Sequence, residues 1–254
     1  MRRMFTTLVA TGAALALPAT AAFAQSHETY TANLSQANDS GASGTVTIQL
    51  DGTTADIRIE GRNFFDGFPH AIHFHGEPGG DNVCPPAMNP GDAGFDDVDE
   101  DGDGIMSVSE GVPFYGGIAV SLTTEGDTSP DSGLAVDRFP TSGTLDYQRT
   151  IELPEDVAAD LSSLHVVVHA TDLNDSGEIG DSEIPSDLDP ELDMEATAPA
   201  ACGQLTASAA GGVATGAGGA ATDNGGNGAA AALAGAAGLG ALGVAGLRRR
   251  RNEA

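Results

Sequence analysis

Apolar and polar positions alternate in short bursts through the middle of this chain. Tyr30, Ala32 and Leu34 share one face of an extended segment, Val46, Ile48 and Leu50 a second, and Ile57 and Ile59 a third. Ile118, Val120 and Leu122 repeat the pattern, and Leu145, Tyr147, Ile151 and Leu153 form a longer run. Side chains alternate across a strand, so each run predicts a β-strand with one buried face. Two histidine-bearing segments, His70-Ala-Ile-His73-Phe-His75 and His165-Val-Val-Val-His169, and a short closing strand near Leu205 bring the total to about eight. Turn signals separate them at Asn38-Asp39-Ser40-Gly41, Asp51-Gly52 and Ser142-Gly143. Only Glu155 to Ser162 looks helical, and no phosphate-cradling glycine loop is present. The expectation is an all-β, eight-stranded Greek-key sandwich or barrel.

Five of the six histidines lie in the two histidine-bearing segments. In the first, Ile72 and Phe74 point one way while His73 and His75 point the other. In the second, Leu164, Val166 and Val168 oppose His165 and His169. Each strand is therefore expected to turn a greasy side to the core and an imidazole pair outward. If the strands are neighbours, His73, His75, His165 and His169 could form a transition-metal site for copper or zinc. The competing reading is four solvent-facing histidines with no shared role.

Two long loops interrupt the strands. One holds Asp99-Glu-Asp101-Gly-Asp103-Gly104-Ile-Met-Ser107-Val-Ser-Glu110, the other Asp172-Leu-Asn174-Asp-Ser176-Gly177-Glu-Ile-Gly-Asp-Ser-Glu183. Both match the twelve-residue calcium loop, with oxygen donors at positions 1, 3 and 5, glycine at 6 and glutamate at 12. The carbonyls of Ile105 and Glu178 would supply position 7. Ser107 could serve position 9, whereas Gly180 would need a water. The flanks do not read as helices, so two structural calcium ions in loops spliced between strands are expected, not a moving sensor.

The chain carries 37 acidic residues against 10 arginines and no lysine, a net charge of −27. Between the ends only Arg58, Arg62, Arg138 and Arg149 are basic. That balance excludes nucleic acid as a partner and calls for high salt or bound cations to offset self-repulsion. Residues 1–24 read as a signal peptide: Arg2 and Arg3, an apolar stretch from Leu8 to Ala22, and Ala22-Phe23-Ala24 as the cleavage site. Arg2-Arg3-Met4-Phe5 resembles part of a twin-arginine signal. The domain is expected over 25–206, a Gly/Ala-rich linker over 207–228, and a transmembrane or sorting tail over 229–254 that ends in Arg248 to Arg251. A periplasmic or cell-surface location follows. Cys84 and Cys202 are the only cysteines. In an exported protein they predict one disulfide, with two thiolate ligands as the alternative.

The order of these residues resembles two related families. His70-Ala-Ile-His73-Phe-His75, Val-Cys84-Pro-Pro, Asn89-Pro90, Val166-Val-Val-His169 and Ala201-Cys202-Gly203 are similar to copper/zinc superoxide dismutase. The CHRD family of extracellular β-domains is at least as close, through Ile72-His73-Phe74-His75, Val166 to His169 and Gly203-Gln204-Leu205. The resemblance implies an eight-stranded Greek-key fold with Cys84 joined to Cys202. It implies His73, His75 and His169 as copper ligands, and His70 as a residue that braces them. Departures are as informative. Ala87, in Pro86-Ala87-Met88-Asn89-Pro90, replaces the bridging histidine, no zinc-ligand set remains, and Pro199 stands where an arginine guides superoxide. Zinc is thereby disfavoured, and Met88 is either a soft copper ligand or a packed loop methionine. The function expected is a non-catalytic, calcium-stabilised surface module that holds copper. A copper-only superoxide dismutase and an extracytoplasmic copper-binding protein are the alternatives.

Overall fold

The computed structural model describes residues 27–208. The expected signal peptide, the linker beyond residue 208 and the C-terminal tail lie outside the described residues. Within them no helix is long and apolar enough to cross a membrane.

Nine strands account for most of the regular structure: β1 (Glu28–Gln36), β2 (Ser43–Asp51), β3 (Thr54–Arg62), β4 (Ile72–His75), β5 (Ile118–Ser121), β6 (Asp146–Glu152), β7 (His165–His169), β8 (Pro199–Gln204) and β9 (Thr206–Ala207). They form one antiparallel sheet in the order β5-β4-β7-β8-β1-β2-β3-β6, with the two-residue β9 added to β1. The period-two runs have become strands where expected, and β1 to β3 bury alternate residues as the pattern requires.

The sheet curls so that its two halves face one core. Strand β1 makes the turn. Its residues 28–34 pair with β2, while Ser35 and Gln36 pair with Cys202 and Ala201 of β8. Ile72, Phe74, Val166 and Val168 from one half join Val46, Ile48, Ile57, Ile59 and Tyr147 from the other in a single buried cluster. Among the described residues no ladder joins the outer strands β5 and β6. Side chains close that seam instead. Arg149 on β6 donates to the carbonyl and hydroxyl of Thr123 (2.7 Å each) and to the Gly126 carbonyl (2.6 Å). Tyr147 donates to the same Thr123 carbonyl.

Among the described residues three short α-helices, α1 (Val108–Tyr115), α2 (Glu155–Ala159) and α3 (Met194–Thr197), and several single 3-10 turns accompany the strands. Helix α2 lies where the sequence places it. Helix α1 corrects the expectation that the calcium-loop flanks are not helical, because the first loop runs directly into it. Gly111 and Pro113 inside the helix obscure its signal, both being poor helix formers. A capping box at its start offsets them: Ser107 Oγ accepts from the Glu110 N–H, and the Glu110 carboxylate accepts from the Ser107 N–H.

Cys84 and Cys202 are joined in a disulfide, which leaves no free thiol and removes the thiolate-ligand alternative. The bridge ties the loop after β4 to β8 and packs with Tyr115 and Val167 on the face of the sheet that carries the histidines.

Candidate metal centre

Strands β4 and β7 are antiparallel neighbours, with His73 opposite Val167 and His75 opposite His165. The two faces divide as the alternation requires: Ile72, Phe74, Val166 and Val168 enter the core and the histidines take the other side. That other side is not open. His70, His73, His75, His165 and His169 are each at most 4 % exposed. Helix α1, the 3-10 turn at Pro130–Ser132 and the segment leading into α3 fold over the imidazoles and form the walls of a cleft above them. The expectation of outward-facing imidazoles is corrected accordingly.

His73, His75 and His169 each bring a ring nitrogen within 4.8 Å of the other two. Their ring centroids are 5.2–5.7 Å apart. Each ring donates one N–H to a backbone carbonyl: His73 Nε2 to Gly133 (3.0 Å), His75 Nδ1 to Gly116 (2.9 Å) and His169 Nδ1 to Thr197 (2.7 Å). A carbonyl only accepts, so these bonds fix each tautomer and leave a lone pair on the opposite nitrogen. Those nitrogens, His73 Nδ1, His75 Nε2 and His169 Nε2, are buried without any partner. Orphaned buried acceptors are costly, and three of them on neighbouring rings make a candidate ligand set. Gly116 can hold its carbonyl there because it sits at φ 81°, and an added Cβ would lie 2.7 Å from the Gly76 backbone.

The remaining candidates separate cleanly. His165 is not in the group. It shares a face with His169, but four residues along a strand is about 13 Å, too far for both rings to reach one ion. Its ring nitrogens are also without partners. His70 lies between two carbonyls, Nδ1 at 3.0 Å from that of His169 and Nε2 at 2.7 Å from that of Phe65. A neutral ring can donate to only one of them at a time. Met88 is packed against Phe95, Met106, Tyr115 and Val167 and does not line the cleft. Ala87 is buried in the same cluster.

Burial, reinforced by the neighbouring rings of His169 and His75, holds the His73 imidazole well below its usual range. Burial lowers His75 to about 3 and His169 to about 4. The triad is therefore neutral and ligand-competent at any mild pH. A folded-state pKa below the unfolded value means the unfolded chain binds more protons between about pH 6.5 and 4. Stability is fully present above 6.5 and falls as pH drops through that window, by up to about 1.4 kcal/mol per pH unit for each histidine. Melting of the metal-free protein should show this slope between pH 6.5 and 5, and His75→Gln should reduce it by that residue's share. Equal slopes in both proteins would contradict the assignment.

The two acidic loops adopt the same backbone course. Gly102 and Gly104 in the first, and Asp175 and Gly177 in the second, are left-handed at positions 4 and 6. Asp99 accepts from the N–H groups of Gly102, Asp103 and Gly104, and Asp172 from those of Ser176 and Gly177. Asp101 and Asn174 each accept from the residue two further on, as do Asp103 and Ser176. In the first loop Asp99, Asp101 and Glu110 bring carboxylate oxygens within 4.8 Å of one another, which a cation could bridge. Burial, and then the carboxylates of Asp101, Asp99 and Glu110, raise the pKa of Asp103.

At position 12 the loops diverge. Glu110 accepts from Glu100 and Ser107, the N–H groups of positions 2 and 9 (2.8 Å each). The matching contacts in the second loop, from Leu173 (3.0 Å) and Gly180 (2.7 Å), are made by Glu195 on α3. Glu195 is fully buried, whereas Glu183, the residue at the expected spacing, is exposed with φ 62°. The structure thus gives the closing place in the second loop to Glu195, which spacing alone did not reveal. Helix α3 also carries Thr197, whose carbonyl orients His169.

No protein-family model matches this chain, and no curated protein matches it. The residues themselves carry the functional reading.

Proposed function

We propose that this chain is an exported β-domain that holds one copper ion through His73, His75 and His169. Its acidic loops hold two calcium ions, the first through Asp99, Asp101, Asp103, Ile105, Ser107 and Glu110. The second uses Asp172, Asn174, Ser176 and the Glu178 carbonyl, closed by Glu195. It acts as a CHRD-like binding or structural module at the cell surface, anchored through its C-terminal segment. The single observation that carries this reading is the set of three buried, tautomer-fixed imidazoles, each with an unpartnered ring nitrogen, whose ligand atoms lie within 4.8 Å of one another.

Imidazole ligands suit copper, which heads the divalent affinity order. Bound copper would supply a centre able to cycle between two oxidation states. Zinc is disfavoured because Ala87 stands in the bridging place. The disulfide supports an oxidising compartment outside the cytoplasm. The Greek-key, dismutase-like connectivity is part of the same reading. Supporting it are the crossings from β3 to β4 and from β5 to β6, which pass between the halves of the sheet.

A copper-only superoxide dismutase is the second reading, favoured by the cleft that opens above the triad. Against it, Asp131 is the only charged residue lining that cleft among the described residues, Pro199 replaces the guiding arginine, and the net charge of −27 repels an anion. The deciding experiment strips the protein with chelator, restores copper and calcium, and counts both by elemental analysis alongside superoxide turnover. One copper and two calcium ions per chain, with turnover no faster than free buffer-bound copper, are expected. Absence of copper would remove the copper centre. Fast turnover lost in His169→Ala would replace the module with the dismutase.

A further inference from the structure

The triad does not face bulk solvent. It forms the floor of a cleft of about 440 Å³. Three of the most exposed large apolar side chains of the described domain converge on its walls: Val112 (37 % exposed) from α1, Leu134 (47 %) from the turn after Pro130, and Leu188 (49 %) from the segment before α3. They come from three separate parts of the chain, so their convergence is tertiary. Exposing such residues around an opening costs hydration free energy, and an apolar ligand seated among them would recover it.

The volume is far larger than a diatomic molecule needs and falls in the range that encloses a small organic ligand. Charge narrows the class. Among the described residues no arginine lines the cleft, and its one charged residue, Asp131, disfavours anions. A cation would be repelled from the floor by a divalent metal ion. What remains is an uncharged molecule with an apolar body and one neutral donor atom at its tip.

We propose that the cleft above His73, His75 and His169 binds an uncharged, largely apolar organic ligand, whose donor atom reaches the metal while its body packs against Val112, Leu134 and Leu188. This rests on the copper reading of the triad. It adds a recognition site whose selectivity is set by residues that are not metal ligands.

The test uses the full chain loaded with copper and titrated with three probes, imidazole, 4-phenylimidazole and azide, followed by the copper absorption and electron paramagnetic resonance spectra. 4-Phenylimidazole should bind at least about 10-fold tighter than imidazole, with azide weakest. The Leu134→Asn/Leu188→Asn variant changes two exposed positions and should retain its copper and its imidazole affinity while losing most of that preference. Val112→Asn provides a second, independent reduction. If copper binds but 4-phenylimidazole gains nothing over imidazole, or the preference survives in the variants, the cleft proposal is overturned and the copper reading stands. If azide binds best, the proposal is likewise overturned. If no copper is held, both fall together.

Discussion

Replacing His169 with alanine should reduce copper affinity by more than about 100-fold, while replacing His165 with alanine should leave it within a few-fold. The two residues sit on one face of one short strand and differ only in reach. His169 contributes a nitrogen to the converging set and is oriented by the Thr197 carbonyl. His165 lies opposite His75 in register and outside that set. Loss of residues that merely orient a ligand already costs about 10–100-fold, so loss of a ligand itself should exceed that. Competition titration against a chromophoric copper chelator measures both variants, with circular dichroism showing that each retains its sheet. Equal losses would place the ion between the strands at the other end of β7 and break the assignment.

The second large effect concerns calcium. Glu195→Gln should abolish binding in the second acidic loop, whereas Glu183→Gln should leave it intact, although Glu183 occupies the motif spacing. Glu195 closes the loop through the N–H groups of Leu173 and Gly180, just as Glu110 closes the first through those of Glu100 and Ser107. An ion at 100 times its dissociation constant stabilises the fold by about 2.7 kcal/mol. For a domain of this size each kcal/mol is worth about 2–4 °C. Chelation should therefore lower the melting temperature of the wild type by about 5–10 °C per loop, and Glu195→Gln should show roughly half the wild-type response. Isothermal titration counts the ions directly: two in wild type and Glu183→Gln, one in Glu195→Gln. The reverse pattern would return position 12 to Glu183.

These two cases also show what the residue order discloses and what it hides. The strands were legible because period-two burial leaves a direct imprint, as in Val46, Ile48 and Leu50. His73, His75 and His169 were legible for the same reason, since alternation assigns them one face. Alternation says nothing of distance along that face, so His165 was grouped with them. Nor does it show what covers a face. The imidazoles are roofed by loops whose return over the sheet is encoded in no local pattern. Helix α1 was hidden by Gly111 and Pro113, and became visible only through the Ser107–Glu110 cap. Glu195 was hidden more deeply, because its contacts to the second loop cross a chain reversal while Glu183 satisfies the linear motif.

The central claim is that three imidazole nitrogens share one ion. Pulsed electron paramagnetic resonance of the copper-loaded protein, with ¹⁵N-labelled histidine, reports the bound imidazoles directly. Three coupled imidazoles that disappear in the His73→Ala/His75→Ala/His169→Ala variant are the predicted result. Copper retained in that variant with an unchanged spectrum would contradict the site.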